Sequence, residues 1–298
     1  MAPPRAVILG LAGPRLSAEE AALWRKCPPL GAILFARNIQ DPAQLRALTH
    51  EIRDVLGEAA PILIDQEGGR VARLKPPHWE AFPAAARFEA LPEMTQRANA
   101  LLLGRMCRDA GLDVVCAPVL DLRLPGAHQV IGDRAFSRDA RNVSLLAKSL
   151  MHGLQRAGMG NCGKHFPGHG YVKADSHVDM PIDKRSLKAI LHEDAKPYEW
   201  LSNELSAVMP AHVIYPKVDS RPAGFSQKWV QEILREQLEF TGAVFSDDLS
   251  MLGARVLDGQ PISFTKAVLA ALEAGCDVAL LCNQSLKGSK VIDEVLEG

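Results

Sequence analysis

Short apolar segments alternate with segments of helical periodicity eight times along this chain. Eight segments have the length and apolar character of buried strands: 6–9, 31–35, 61–65, 113–120, 160–165, 207–212, 242–247 and 277–282. Each is followed by a segment in which apolar residues recur at helical spacing: 17–27, 42–56, 94–110, 140–157, 187–202, 227–239, 263–274 and 289–296. This α/β pattern predicts a parallel sheet that closes into a single (β/α)8 TIM barrel.

The competing α/β architecture is an open, doubly wound sheet. That fold commonly carries a Gly-x-Gly-x-x-Gly fingerprint directly after its first strand, and this chain has none there. Helix boundary signals support the assigned elements, since Asp41-Pro42 precedes one predicted helix and Gly57 and Gly275 follow the ends of two others. The barrel is therefore favoured.

The size and charge of the chain restrict its domain organisation and its partners. Its 298 residues, of which 47% are hydrophobic and 23% charged, can form one barrel domain spanning residues 1–298. Lys and Arg number 34 against 35 Asp and Glu, and no basic stripe with interleaved aromatic residues occurs. This balance argues against nucleic acid and anionic membranes as partners. We expect a monomer that acts on a small molecule.

Cysteine placement and the first residues indicate the compartment. The six cysteines are scattered and lie mostly in apolar runs, which is typical of buried free thiols. Two prolines and a single positive charge precede a very short apolar stretch at the start of the chain, which favours a buried strand over a secretory signal. No apolar run approaches the length of a transmembrane helix. We expect a cytoplasmic protein.

Polar residues stand at the carboxyl ends of five predicted strands: Asp65, Asp121, Lys164 with His165, His212, and Asp247 with Asp248. Any one of them alone could be a helix cap or a solvated loop residue. The carboxyl ends of all barrel strands meet at one rim, and TIM-barrel enzymes carry their catalytic groups there. We therefore expect these side chains to converge on one site.

The densest group of ionisable residues begins at the end of the fifth predicted strand. The run KHFPGHG at 164–170 is followed by DSH at 175–177, and its glycines and proline predict a loop. A merely solvated loop is one alternative. Another is a metal site with these ligands: His165, His169, Asp175 and His177. No His-Glu-x-x-His or Cys-x-x-Cys spacing occurs in the chain, and we expect neither a metal nor another cofactor.

The residue types at this rim suit the cleavage of a glycosidic bond. Asp247 offers a carboxylate, and His177 offers an imidazole on a loop. Hydrolysis of a glycoside needs a carboxylate beside the anomeric carbon and a proton donor beside the leaving oxygen. Further charged donors and acceptors suit the hydroxyl groups of a sugar: Asp65, Arg73, Arg134, Lys164 and His165.

Five motifs occur in a fixed order: DQEGGRVAR at 65–73, KHFPGHG at 164–170, DSH at 175–177, MPAHVIY at 209–215 and FSDDLSM at 245–251. Together they resemble glycoside hydrolase family 3, and specifically its bacterial β-N-acetylglucosaminidases of peptidoglycan recycling. The resemblance runs from about residue 31 to residue 283. It implies a (β/α)8 barrel, which the pattern of strands and helices predicts independently.

The resemblance also implies roles for individual residues. It implies that Asp247 is the nucleophile of a covalent glycosyl-enzyme, and that His177, paired with Asp175, is the acid/base. The residues that it implies for binding N-acetylglucosamine are Asp65, Arg73, Arg134, Lys164 and His165. Four further residues lie in matching motifs and are interpreted as supporting residues: Glu67, His169, His212 and Asp248.

Two branches of that family differ in the source of the acid/base. The β-glucosidase branch commonly carries a second domain that supplies a glutamate, whereas the N-acetylglucosaminidase branch keeps its acid/base on a loop of the barrel. Because the chain ends at Gly298, directly after the eighth predicted helix, we expect no second domain and an acid/base on the loop.

The resemblance therefore implies a retaining exo-β-N-acetylglucosaminidase acting on muropeptides that contain N-acetylglucosamine linked to 1,6-anhydro-N-acetylmuramic acid. One alternative is a β-glucosidase-type member of the family. A non-catalytic sugar-binding or sensing barrel is the other, although such a protein is expected to lack the nucleophile or the acid.

Overall fold

The computed structural model describes residues 2–126, 129–172, 181–285 and 290–297. These ranges contain ten strands: β1 (Arg5–Gly10), β2 (Pro29–Leu34), β3 (Ile62–Ile64), β4 (Val114–Val115), β5 (Gly160–Phe166), β6 (Ala207–Pro210), β7 (Ala243–Asp248), β8 (Val256–Leu257), β9 (Gln260–Pro261) and β10 (Val278–Leu281). All but β8 and β9 pair in parallel and close into a barrel in the order β1-β10-β7-β6-β5-β4-β3-β2. The predicted (β/α)8 barrel is confirmed, and the closed sheet excludes the doubly wound alternative. The short strands β8 and β9 form a separate antiparallel hairpin.

Helices follow the barrel strands: α1 (Ala18–Lys26), α2 (Pro42–Leu56), α3 (Glu93–Asp109), α4 (Ala140–Arg156), α5 (Leu187–His192), α6 (Lys196–Leu201), a helix with π-type hydrogen bonds (Lys228–Gln237), α7 (Phe264–Ala274) and α8 (Val291–Glu297). Local sequence explains several of their ends. Asp41 caps α2, because its side chain accepts hydrogen bonds from the backbone N–H groups of Ala43 and Gln44, both at 2.9 Å. Gly275 ends α7 in the left-handed conformation, at φ 108°, which favours glycine.

Two apolar layers surround the barrel wall. Ile8 packs in an interior cluster with Ile33 and Leu63, whereas its neighbours Val7 and Leu9 belong to the larger cluster between the strands and the helices. Successive side chains on a strand point to opposite faces. A strand that is apolar at every position therefore fills both layers, which explains why the predicted strands are continuous apolar runs.

The single helix predicted over 187–202 is wrong, because the structure has two short helices there, α5 and α6. Pro197 lies in the first turn of α6, where its missing N–H removes no hydrogen bond, but in a continuous helix it would remove one. In the break between the two helices, Asp194 is fully buried and accepts a hydrogen bond from the Arg185 guanidinium at 2.6 Å. A proline and a buried ion pair thus divide the predicted helix.

The strand predicted over 113–120 is regular only at Val114–Val115. Beyond it the chain still runs beside β5, and the N–H of Leu120 donates to the carbonyl of Lys164 at 2.7 Å. Pro118 lies within this stretch and has no N–H to donate, so the ladder is interrupted there. The continuation nevertheless brings Asp121 to the end of β5.

The cysteines are unpaired, as predicted, and five of the six are buried. Within the described ranges, no helix has the length and apolar character needed to cross a membrane.

Candidate active site

A cavity of about 480 Å³ opens at the carboxyl ends of the barrel strands. Its size is typical of a small-molecule site. The charged and imidazole side chains in its wall come from β5 and β7, from the segments that follow β3 and β5, and from the segment before α4: Asp65, Glu67, Arg70, Arg73, Arg134, Lys164, His165, His169, Asp247 and Asp248. The strand-end residues that we expected to converge therefore mostly do so.

Five of these residues form a chain of ion pairs with alternating sign, which we call the charge chain. Arg73 contacts Asp65 at 3.1 Å, and Asp65 contacts Lys164 at 2.9 Å. Lys164 also contacts Glu67 at 2.7 Å, and both oxygens of Glu67 accept from the Arg134 guanidinium at 2.8 and 2.9 Å. The Lys164 and Glu67 side chains are each only 4% exposed. Charges this deeply buried are tolerated only when they are paired.

The pairing keeps the charge chain ionised. Burial alone would raise the pKa of Asp65, but Lys164 and Arg73 outweigh it and hold that pKa well below its usual range. In the same way, burial would lower the pKa of Lys164, but the two carboxylates beside it hold that pKa above its usual range. The cavity wall therefore presents charged donors and acceptors whose positions are set before any ligand arrives.

The two adjacent carboxylates at the end of β7 differ in their hydrogen bonding. The carboxylate of Asp248 accepts from the backbone N–H and hydroxyl of Ser250 at 2.9 and 2.6 Å, from the N–H of Cys282 at 3.1 Å and from the Asn283 amide at 3.0 Å. The carboxylate of Asp247 accepts one hydrogen bond from the described residues, through Oδ1 from the N–H of Asp248 at 2.8 Å. Asp248 thus holds the strand ends together, whereas Oδ2 of Asp247 has no hydrogen-bond partner in the part of the chain that the structure describes.

The Asp247 carboxylate is ionised near neutrality. Burial would raise its pKa, but the imidazoles of His165 and His212 and the N–H of Asp248 together lower it. An ionised carboxylate at a strand end in this cavity has the properties that nucleophilic attack on an anomeric carbon requires.

Asp121 lies behind the imidazole of His165 and is fully buried. Its Oδ2 lies 2.8 Å from His165 Nδ1, and its Oδ1 accepts from the backbone N–H groups of His165 at 3.2 Å and His169 at 2.7 Å. Burial lowers the pKa of the neighbouring His169 to about 4, so that imidazole is neutral. Sequence placed Asp121 at the rim but assigned it no role. Its position after the fourth predicted strand was the only signal.

Most of the predicted site residues come together in this cavity. Its wall includes all five predicted sugar-binding residues and the predicted nucleophile: Asp65, Arg73, Arg134, Lys164, His165 and Asp247. Of the predicted supporting residues, Glu67, His169 and Asp248 also line it. His212 lies behind the wall, and its Nε2 is 3.1 Å from the backbone oxygen of Asp248. The predicted acid/base His177 and its partner Asp175 lie outside the described residues.

Sequence reasoning missed an apolar and cationic part of the wall. Phe35 lies at the end of β2, and the guanidinium groups of Arg37 and Arg73 stand 4.8 and 5.5 Å from its ring centre. Arg70 donates to Asp133 at 3.0 Å and thereby joins the loop after β3 to the segment that carries Arg134. Arg70 lies inside the DQEGGRVAR motif, which was its only signal, and no pattern singled out Phe35.

The metal alternative gains no support from the described part of the chain, where no group of three or more His, Cys, Asp or Glu side chains is arranged to hold an ion. Two of its four proposed ligands, Asp175 and His177, lie outside the described ranges.

Comparison with known proteins identifies relatives over nearly the whole chain. Residues 9–298 match the model of the glycosyl hydrolase family 3 N terminal domain. A beta-hexosaminidase from Bordetella avium is 46% identical over 306 aligned positions, covering 99% of this chain and 84% of that protein.

Solved structures of related proteins superpose on nearly the whole chain. The NagZ protein from Neisseria gonorrhoeae, in complex with N-trifluoroacetyl-D-glucosamine, superposes with a TM-score of 0.89 at 38% identity, covering 99% of this chain and 85% of that one. A glycoside hydrolase family 3 beta-N-acetylglucosaminidase from a Paenibacillus species superposes with a TM-score of 0.89 at 29% identity, covering 98% of this chain and 55% of that one.

Proposed function

Because the chain belongs to glycoside hydrolase family 3 and is a glycoside hydrolase, we propose that it is a retaining exo-β-N-acetylglucosaminidase. The observation that carries this proposal is the position of the ionised Asp247 in the same cavity as the charge chain. The similarity to a beta-hexosaminidase and to a NagZ bound to an N-acylated glucosamine supports the choice of sugar.

In the first step, an Asp247 oxygen attacks the anomeric carbon of a β-linked N-acetylglucosamine. The bond between that carbon and the glycosidic oxygen breaks, and a covalent glycosyl-enzyme forms. We assign the proton that the leaving oxygen needs to His177, oriented by Asp175, on the basis of the sequence resemblance alone.

In the second step, His177 accepts a proton from water, and the water oxygen attacks the anomeric carbon. The Asp247 carboxylate departs, and the sugar leaves with its β configuration retained.

The charge chain is proposed to hold the sugar. Asp65 accepts hydrogen bonds from hydroxyl groups, while Arg73, Arg134 and Lys164 donate to the oxygens of the ligand. The Arg73 side chain is 25% exposed and lines the cavity, so its guanidinium is within reach of a ligand. Because ion pairs already fix these groups, little reorganisation is needed when the sugar binds.

We propose further that the natural substrate is a peptidoglycan-derived muropeptide with a terminal N-acetylglucosamine, hydrolysed in the cytoplasm by a monomeric enzyme in which residues 1–298 form one barrel domain. The basis for the substrate is the similarity of the five motifs to the N-acetylglucosaminidase branch of the family. The proposal of a loop-borne acid/base has the same basis.

The test is a comparison of three aryl substrates: the N-acetyl-β-glucosaminide, the β-glucoside and the β-xyloside. We expect the N-acetylated sugar to be hydrolysed fastest. Faster turnover of the plain glucoside would favour the β-glucosidase alternative, and no turnover of any of the three would favour a non-catalytic barrel. Hydrolysis of a purified muropeptide, followed by mass spectrometry, tests the natural substrate.

A further inference from the structure

The Asp121 side chain is completely buried, and within the described part of the chain its three hydrogen bonds all reach His165 and His169. One oxygen receives the two backbone N–H groups, and the other faces Nδ1 of the His165 ring at 2.8 Å. A buried carboxylate is thereby placed directly behind an imidazole that lines the cavity.

The chemistry of this contact determines which ring nitrogen of His165 carries a proton. Burial alone would raise the pKa of Asp121, but His165 and the backbone N–H groups more than offset it and lower that pKa, so the group is a carboxylate. An ionised carboxylate only accepts hydrogen bonds, so Nδ1 of His165 must be the donor. Its other nitrogen, Nε2, is then left for whatever occupies the cavity.

We infer that Asp121 is a positioning residue of the active site, which holds the His165 ring in the Nδ1-protonated form and presents Nε2 to the sugar. This inference rests on the proposed function and deepens it. Asp121 does not touch the ligand in this account, and it acts through His165.

The position of Asp247 gives this orientation a consequence for the chemistry. The same imidazole lines the cavity that also contains the Asp247 carboxylate. A ring held by Asp121 keeps a constant orientation toward both the sugar and the carboxylate that is to attack it. A ring that turned over would place a carbon against Asp121 and would lose this hydrogen bond.

Asp121 has a second effect, because its Oδ1 also holds the backbone of His165 and His169. A test of the inference must separate this effect from the control of the His165 tautomer. The substitution Asp121→Asn separates them. The asparagine oxygen can still accept the two backbone N–H groups, while its amide nitrogen, now facing Nδ1, is a donor. Nδ1 of His165 must then become an acceptor, and the proton moves to Nε2. Asp121→Ala removes both effects together.

The first measurement uses the wild-type protein. Nitrogen-15 NMR of the histidine rings distinguishes the two tautomers, and the His165 signals are identified by their loss in His165→Gln. We expect Nδ1 of His165 to be protonated in the wild type and Nε2 in Asp121→Asn. A neutral wild-type ring protonated at Nε2 would overturn the inference, whether or not any variant folds.

The second measurement compares kinetics on the aryl N-acetyl-β-glucosaminide with thermal unfolding. For histidines that bind metals, loss of the group that orients the imidazole typically costs about 10- to 100-fold in affinity or activity. We expect Asp121→Asn to lose kcat by about this factor, with a smaller change in KM and a smaller fall in Tm than Asp121→Ala shows. If instead Asp121→Asn keeps the wild-type kcat, or if the activity of both variants merely follows their Tm, the role is structural and the inference fails.

Asp113→Asn is the matched control. Asp113 also joins two strands, since it accepts from the backbone N–H of Ile62 at 2.9 Å and from Arg53 at 2.7 Å, but it lies at the amino end of β4, away from the cavity. Its kcat should stay at the wild-type value. An inactive wild type would contradict the proposed function, whereas the NMR measurement would still decide whether Asp121 sets the tautomer.

Discussion

The Nζ atom of Lys164 lies 2.9 Å from Oδ1 of Asp65, although 99 positions separate the two residues in the chain. The contact joins the end of β5 to the end of β3. The same ammonium group contacts Glu67 at 2.7 Å, so one lysine pairs with two carboxylates, the partly exposed Asp65 and the buried Glu67.

Lys164→Met should therefore destabilise the protein strongly. Removing one partner of a buried ion pair leaves an uncompensated charge, which typically costs about 3 to 5 kcal/mol. Urea denaturation followed by circular dichroism measures the free energy of unfolding. Lys148→Met is the control, because its ion pair with Glu204 is largely exposed and should contribute less than about 1 kcal/mol. Equal losses in the two variants would show that the charge chain has no special role in stability.

Acid should weaken the ion pairs of the charge chain. The pKa of Asp65 is lower in the folded protein than its ordinary value of 3.8, so the carboxylate stabilises the fold above that pH. The stabilisation by the Asp65 carboxylate is lost as the pH falls below the ordinary pKa of an aspartate and then through the lower pKa that Asp65 has in the folded protein. We expect the free energy of unfolding to fall below about pH 4, and to fall less steeply in Asp65→Asn. Asp54 is exposed and forms no ion pair with the described residues, so Asp54→Asn should keep the wild-type slope, and identical slopes in all three proteins would contradict the prediction.

The two carboxylates at the end of β7 should respond differently to substitution. Asp247→Asn should abolish nearly all glycosidase activity with little change in Tm, because this side chain makes one hydrogen bond among the described residues. Asp248→Asn should lower Tm, because it disturbs the contacts to Ser250, Cys282 and Asn283. A slow 2-fluoro or 5-fluoro glycoside should label the wild-type enzyme at Asp247, as peptide mass spectrometry can verify. A label on Asp248, or an inverted product by NMR, would refute the assignment.

The role proposed for His177 can be tested with leaving groups. His177→Ala should cripple cleavage of the natural disaccharide, whose leaving oxygen needs a proton, and should slow the first step much less for a dinitrophenyl glycoside. Azide needs no general base and should restore turnover by intercepting the glycosyl-enzyme. An equal loss on both substrates without azide rescue would make His177 a binding residue. Glu67 would then be a poor candidate for the acid/base, since Lys164 and Arg134 occupy both of its oxygens.

Much of the site could be predicted because polar residues at strand ends are visible in sequence and the barrel brings strand ends together. The same reasoning left Asp121 without a role, since its function depends on a contact with a ring 44 positions away. It separated Asp247, as the nucleophile, from Asp248, as a supporting residue, but it gave no sign of the contacts that distinguish them. Their difference arises from Cys282 and Asn283, which reach Asp248 from the last barrel strand.

The sequence by itself determined the elements and their order, because strand and helix periodicity, caps such as Asp41 and breaks such as Gly275 act within a few residues. Only the tertiary structure decided which charges meet. It set Lys164 between Asp65 and Glu67, and it divided the helix predicted over 187–202 where Asp194 pairs inward with Arg185. Burial is the physical reason: a charge removed from water must find a partner, and that partner is chosen by proximity in the fold, for which the spacing of residues along the chain contains no signal.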